Sequence, residues 1–221
     1  MRRSLLICLC VTALLALYVG AGSVASHTAK ISIKLEPGTS AEVSVFRLAE
    51  DRLRMRLVFQ GDHARRPELG AWTTRSDGTA TGRLTFDNPG AAIRILASLA
   101  SGAPVPYEAM PTSGGGPGIA FRDLTASLAI RPGVWRWPPD QNGLLLQRGA
   151  NTVKLDIAAV APPLIGERVE LWVDPPLGAK QTMPNVAWLW GWFLWPLLLA
   201  IQLLWAAAIW LLQRKQSARS V

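Results

Sequence analysis

The stretch GANTVKLDI, residues 149–157, decides the fold class. After a Gly-Ala-Asn turn signal, Val153, Leu155 and Ile157 alternate with Lys154 and Asp156, the period of a strand with one dry face and one wet face. The same cadence returns in ERVELWVDPP, residues 167–176, where Val169, Leu171 and Val173 alternate with Arg168, Glu170 and Trp172.

Working outward, the pattern covers most of the central chain. Ile31, Ile33 and Leu35 alternate with Lys30, Ser32 and Lys34; Leu53, Met55, Leu57 and Phe59 alternate with Arg52, Arg54 and Arg56. Leu124, Ala126, Leu128 and Ile130 repeat it against Thr125, Ser127 and Arg131. Further strands are expected over 42–48, 80–86, 105–110 and 143–147, with turn residues between them. Strands of this kind pair antiparallel, so the fold class is all-β: a β-sandwich of jelly-roll or Ig-like connectivity, favoured over a barrel.

One segment departs from the period. Asn88 suits a helix N-cap, Pro89 the first helical position, and Gly102 a C-terminal stop around the Ala-, Ile- and Leu-rich residues 91–101. A single short helix is expected there, with a strand over 91–96 and Arg94 outward as the alternative. PTSGGGPG, residues 111–118, reads as a connecting loop, and lacks the Gly-Lys-Ser/Thr of a phosphate loop.

Charge then places the domain in its chain. The 221 residues hold 23 Lys and Arg against 15 acids, yet no charged side chain falls between Arg3 and Lys30 or between Lys180 and Arg214. Residues 1–26 therefore read as a signal peptide or signal-anchor helix. Arg2 and Arg3 precede an apolar run, and Ser23 and Ala25 are small enough for the −3 and −1 sites of a signal peptidase. Residues 27–180 form the exported domain, 181–213 a transmembrane helix, and 214–221 a basic cytoplasmic tail. Five cations, Arg2, Arg3, Arg214, Lys215 and Arg219, belong to the flanks, which leaves 18 against 15 in the middle. The high isoelectric point is thus an effect of the ends, and nucleic acid is not expected as a partner. The setting this implies is a bacterial cytoplasmic membrane, with the domain on the periplasmic side and the C-terminus in the cytoplasm.

The C-terminal helix carries its own signal. Trp188, Trp190, Trp192 and Trp195 crowd one end, as indoles do at the headgroup layer. At about 100° per residue, Trp188, Trp192, Trp195, Leu199, Gln202, Ala206 and Trp210 share a face. An amide at Gln202, mid-span, calls for a companion from another helix, so Gln202, Trp192 and Trp195 are the residues expected to meet a membrane-protein partner.

Sites of chemistry are sparse. Both cysteines, Cys8 and Cys10, lie in the first apolar stretch, and His27 and His63 stand far apart, so neither a metal site nor a cofactor is expected. No Gly-x-Ser-x-Gly elbow surrounds Ser98 or Ser101, and the acids Asp62, Glu68, Asp123 and Asp140 resemble solvated turn residues more than a catalytic pair. Trp135 and Trp137, two apart in a Pro-rich segment, would form a platform for a sugar ring if extended, and Trp72 is a third exposed-or-core ambiguity. Arg52, Arg54 and Arg56 would present three cations on one strand face to anionic lipid or an acidic partner.

The functional expectation is a membrane-tethered, non-enzymatic envelope protein acting as a subunit or scaffold of a membrane assembly. The alternatives are a carbohydrate- or cell-wall-binding module using the tryptophans and a membrane-bound enzyme using carboxylates.

Overall fold

The computed structural model of the chain describes residues 2–61, 65–74, 82–100, 102–126, 129–131, 133–136, 142–176 and 183–217. They fall into two compact units: Thr28–Pro175, and a second made of Met1–His27 with Pro176–Val221.

Among the described residues, the first unit is built of thirteen strands: β1 (Ala29–Lys34), β2 (Ser40–Arg47), β3 (Asp51–Arg52), β4 (Met55–Gln60), β5 (Ala71–Thr74), β6 (Arg83–Asn88), β7 (Ile93–Leu99), β8 (Val105–Gly116), β9 (Ile119–Thr125), β10 (Val134–Arg136), β11 (Leu145–Leu146), β12 (Gly149–Val160) and β13 (Arg168–Val173). Eight share one antiparallel sheet in the order β1-β13-β4-β9-β8-β7-β12-β2. Its two edges, β1 and β2, are consecutive in the chain. The link between them hands its backbone bonds from one side to the other: Leu35 N–H donates to Glu167 O, and Gly38 N–H to Ile157 O, both at 2.8 Å. The sheet therefore comes close to closing into a barrel. The paired sheets of a sandwich, expected from the sequence, are met here as one sheet curled on itself, with β10-β6-β5 and β11-β3 as small satellites.

Period two explains the interior. Ile33, Leu57, Phe59, Ile95, Leu155 and Leu171 all point inward and belong to one apolar cluster, each Leu or Ile contributing roughly 1.5–3 kcal/mol by leaving water. In β12 the alternation slips once. A bulge between Ile157 and Ala159 leaves Ala158 and Ala159 both outside and returns Val160 to the core.

Three sequence expectations about local structure change. The segment expected to be a short helix is strand β7, paired on both sides with β8 and β12. A helix would scatter Ile93, Ile95 and Ala97 around its circumference, whereas the strand buries all three, so tertiary burial overrides local propensity. Asn88 caps no helix: its Oδ1 accepts from Gly90 N–H at 3.1 Å, closing a turn in which Gly90 holds φ 71°. The glycine loop over 111–118 is instead the end of β8 and a tight turn at Pro117-Gly118 into β9. Register shifts between Ala109 and Thr112 and between Thr112 and Gly114 mark it as bulged. Gly115 is required there, because a Cβ would collide with the Ile119 carbonyl oxygen. The strand expected over 124–130 ends at Thr125.

The second unit is helical: α1 (Arg2–Ala25) and α2 (Met183–Ser217). Arg3–Ala25 and Leu194–Leu212 are each long and apolar enough to cross a membrane.

Candidate functional site

On the outer face of the large sheet, one row crosses four strands in register: Lys30 on β1, Trp172 on β13, Arg56 on β4 and Asp123 on β9. Lys30 Nζ lies 4.0 Å from the centre of the Trp172 ring, and Arg56 Nε lies 3.4 Å from Asp123 Oδ1. Ser113 donates to Asp123 Oδ2 at 2.6 Å, carrying the row onto β8. Phe121 fills in beside it, 5.6 Å from Trp172 and 5.7 Å from the Arg56 guanidinium. Such cross-strand pairs are worth a fraction of a kcal/mol each and hold the sheet more than they recognise a ligand.

That row absorbs part of the arginine ladder. Arg56 is on β4, but Arg52 is on β3, which pairs with β11 in a separate sheet and sends Nη1 to the Gly143 carbonyl at 3.0 Å. Arg54 lies in the break between them, its own carbonyl accepting from Asp174 N–H at 3.1 Å. Three free cations on one strand are therefore not formed. The chain changes sheets at 53–54 because Leu53 and Met55 both turn into the core while their backbones bond different neighbours.

The tryptophans separate. Trp135, on β10, is 2% exposed and packs edge-on against Phe86, 5.4 Å between ring centres, in a small cluster with Leu84 and Met110. Its ring has no face open to a sugar, which corrects the platform expectation at this residue. Trp137 lies outside the described residues. Trp72, on β5, is 42% exposed, and its ring centre lies 4.8 Å from that of Phe86 at an interplanar angle of 64°.

Beside Trp135 is a half-open cleft of about 340 Å³, lined by Pro89, Arg94, Glu108, Ile130 and Arg131 among others. Its neighbourhood is held by a residue whose role was not read from the sequence. Arg122 is fully buried on the inward face of β9, between Ala120 and Leu124. Its Nε donates to Met110 O and Nη1 to Ala91 O, both at 2.8 Å; Nη2 reaches Ala109 O at 3.2 Å and Pro89 O at 3.4 Å. Burial pushes the guanidinium pKa down to about 10, with Glu108 working against the shift. Four carbonyls thus fix the β8 bulge and the 89–91 turn around one cation. The available signal was the two-residue step from Ala120 through Arg122 to Leu124, which puts an arginine on the inward side of the strand.

A second buried arginine, Arg47, is 1% exposed and lies 3.7 Å from Asp51. Burial lowers its pKa while Asp51 and Asp174 raise it. Elsewhere Arg66 grips Glu167 with both Nη atoms and Glu68 with Nε, all at 2.7 Å. Of the carboxylates expected as possible acid–base partners, the two described ones, Glu68 and Asp123, are taken up by different groups. Glu68 is held by Arg66 and Asp123 by Ser113 and Arg56, while Asp62 and Asp140 lie outside the described residues. Among the described residues no three His, Cys, Asp or Glu side chains gather as metal ligands.

In the helical unit Gln202 is 6% exposed. Its Nε2 donates to Cys8 O at 2.8 Å and Thr12 Oγ1 at 2.9 Å, with Cys8 Sγ at 3.2 Å. The companion is α1 of the same chain. Trp195 is half-buried, Trp210 is 51% exposed with Arg214 stacked 4.1 Å from its ring, and Ile209 rather than Trp210 is buried. The side chains at 183–193, Trp192 included, lie outside the described ones.

No protein-family model matches the chain, and no curated protein matches it significantly. Among solved structures it is similar to the crystal structure of GEBA250068378 from Sulfurospirillum deleyianum, at 15% identity and a TM-score of 0.35, over 68% of this chain and 98% of that one.

Proposed function

We propose that the chain is a membrane-tethered bacterial envelope protein, whose β unit stands on the exported side of the cytoplasmic membrane as a non-enzymatic subunit or scaffold of a membrane assembly. The observation that carries this reading is the pair of apolar helices flanking the β unit, with Gln202 of one bonded to Cys8 and Thr12 of the other. A helix-borne amide that finds partners on a second apolar helix suits a bilayer, where an unpaired one is disfavoured. Arg2 and Arg3 at the start of the first helix and Arg214 and Lys215 after the apolar part of the second favour cytoplasmic ends.

The anchoring part of this reading is tested by washing membranes at alkaline pH and treating spheroplasts with protease. The chain stays in the pellet and loses its β unit to external protease; release into the wash, or full protection, overturns it. The assembly part is tested by native electrophoresis in mild detergent. A discrete complex larger than the chain with its detergent supports it, and migration as a lone chain at all loadings contradicts it.

A further inference from the structure

We propose that α1 is retained in the mature protein as the permanent intramembrane partner of α2, so that a two-helix hairpin holds the chain where a cleaved leader and a single anchor would otherwise be read. This rests on the membrane reading above and deepens it by assigning the partner.

The Gln202 amide is the first support. Both its N–H groups are taken up by Cys8 and Thr12, and Thr12 Oγ1 itself donates back to Cys8 O at 2.8 Å, so one clasp joins three residues. Cutting the chain after Ala25 would remove every partner the structure gives this amide and leave it facing hydrocarbon.

The second support is the spacing of the buried positions. On α1 Cys8, Gly22 and Ala25 are buried and Leu15, Tyr18 and Val19 half-buried; on α2 Gln202 and Ile209 are buried and Trp195 and Trp205 half-buried. Cys8, Leu15 and Gly22 step by seven, as do Tyr18 and Ala25 and also Trp195, Gln202 and Ile209, with Ala25 three beyond Gly22 and Trp205 three beyond Gln202. This is the repeat of a packed helix seam, which a lone helix has no reason to keep. Two consecutive spans run antiparallel. With Cys8 opposite Gln202, Leu15 meets the level of Trp195, and both basic ends fall on one side. From that contact to Ala25 is about 26 Å along α1, and to Met183 about 29 Å along α2, at 1.5 Å per residue, so the arms match.

The third support lies at the cleavage point. Helix bonds continue past it: Ser26 N–H donates to Gly22 O at 2.9 Å, His27 N–H to Val24 O at 3.2 Å, and Ala25 is buried. A peptidase must draw Ser23–Ala25 out of this turn, and its rate falls with the population of that opened form.

The test uses the full, N-terminally untagged chain recovered from membranes. Intact mass is expected to include residues 1–25, apart from removal of the initiator Met; a chain beginning at Ser26 or His27 overturns the proposal. A second arm introduces Gln202→Cys and treats membranes with a short thiol-bridging reagent. Alkylatable thiols fall from three to one, the remaining one being Cys10, while Leu204→Cys, exposed on α2, keeps all three. An intact chain whose thiols never bridge contradicts the pairing. Loss of the leader with the protein still membrane-bound sinks this inference alone, whereas an intact chain that washes off membranes sinks the membrane reading.

Discussion

Arg122 Nε donates to the main-chain oxygen of Met110 at 2.8 Å, which places a full positive charge inside the curled sheet with backbone carbonyls for company. Replacing it removes the group that satisfies four carbonyls at once. Arg122→Met is expected to cost about 3–5 kcal/mol, and Arg122→Lys nearly as much because an ammonium cannot reach all four. Thermal unfolding of the full chain in mild detergent, followed by near-ultraviolet circular dichroism, reads the loss; a melting point within a degree of the parent would contradict this role.

Gly70 and Gly90 approach each other closely, at φ 76° and 71°, and a Cβ on Gly90 would meet Leu69 and Gly70 backbone atoms at 2.7 Å. Gly38 also has positive φ, at 87°, but opens onto free space. Gly38→Ala should therefore cost only about 1–2 kcal/mol of backbone strain, and Gly90→Ala clearly more. Equal losses in the same melt would refute the contact.

Arg66 holds the Glu68 carboxyl below its usual range by hydrogen bonding. The folded state therefore binds fewer protons there than the unfolded chain, and this stabilisation is complete above about pH 4.5 and is lost as pH falls through the lower folded value. Glu68→Gln should lower stability at neutral and alkaline pH, leave it nearly unchanged at the lowest pH, and so flatten the acid limb of the stability curve. A parallel shift at all pH values would show that the ion pair is not the cause.

Trp135 Nε1 has no hydrogen-bond partner among the described residues, while its ring packs on Phe86. Trp135→Phe should thus cost far less than Trp135→Ala, which is expected to lose about 3–5 kcal/mol. Chemical denaturation compares the two, and equal losses would contradict packing as the ring's role.

The strands were legible where one face is buried and the other wet, as in Val153–Lys154–Leu155, because a helix cannot keep every second side chain on one face. Residues 93–99 were misread for a physical reason: Ile, Leu and Ala serve either element, and only pairing with both β8 and β12 decides between them. Closure of the sheet was invisible, since it depends on Leu35 and Gly38 bonding strands more than a hundred residues away. On α2, Gln202 was legible as a residue in need of a partner. A lone straight helix would carry Trp210 on the same face, whereas the seven-residue step of a packed pair turns Ile209 inward and Trp210 outward. Arg122 was missed because its hydrogen bonds go to main-chain carbonyls, which no side-chain pattern in the sequence announces.

The central claim is that the β unit lies across the membrane from both chain ends. Alkaline phosphatase, active only outside the cytoplasm, fused after Pro176 and separately after Val221, measures this directly. The account predicts activity for the first fusion and none for the second, with a fluorescent protein after Val221 glowing in the cytoplasm. An inactive first fusion beside an active second would contradict it.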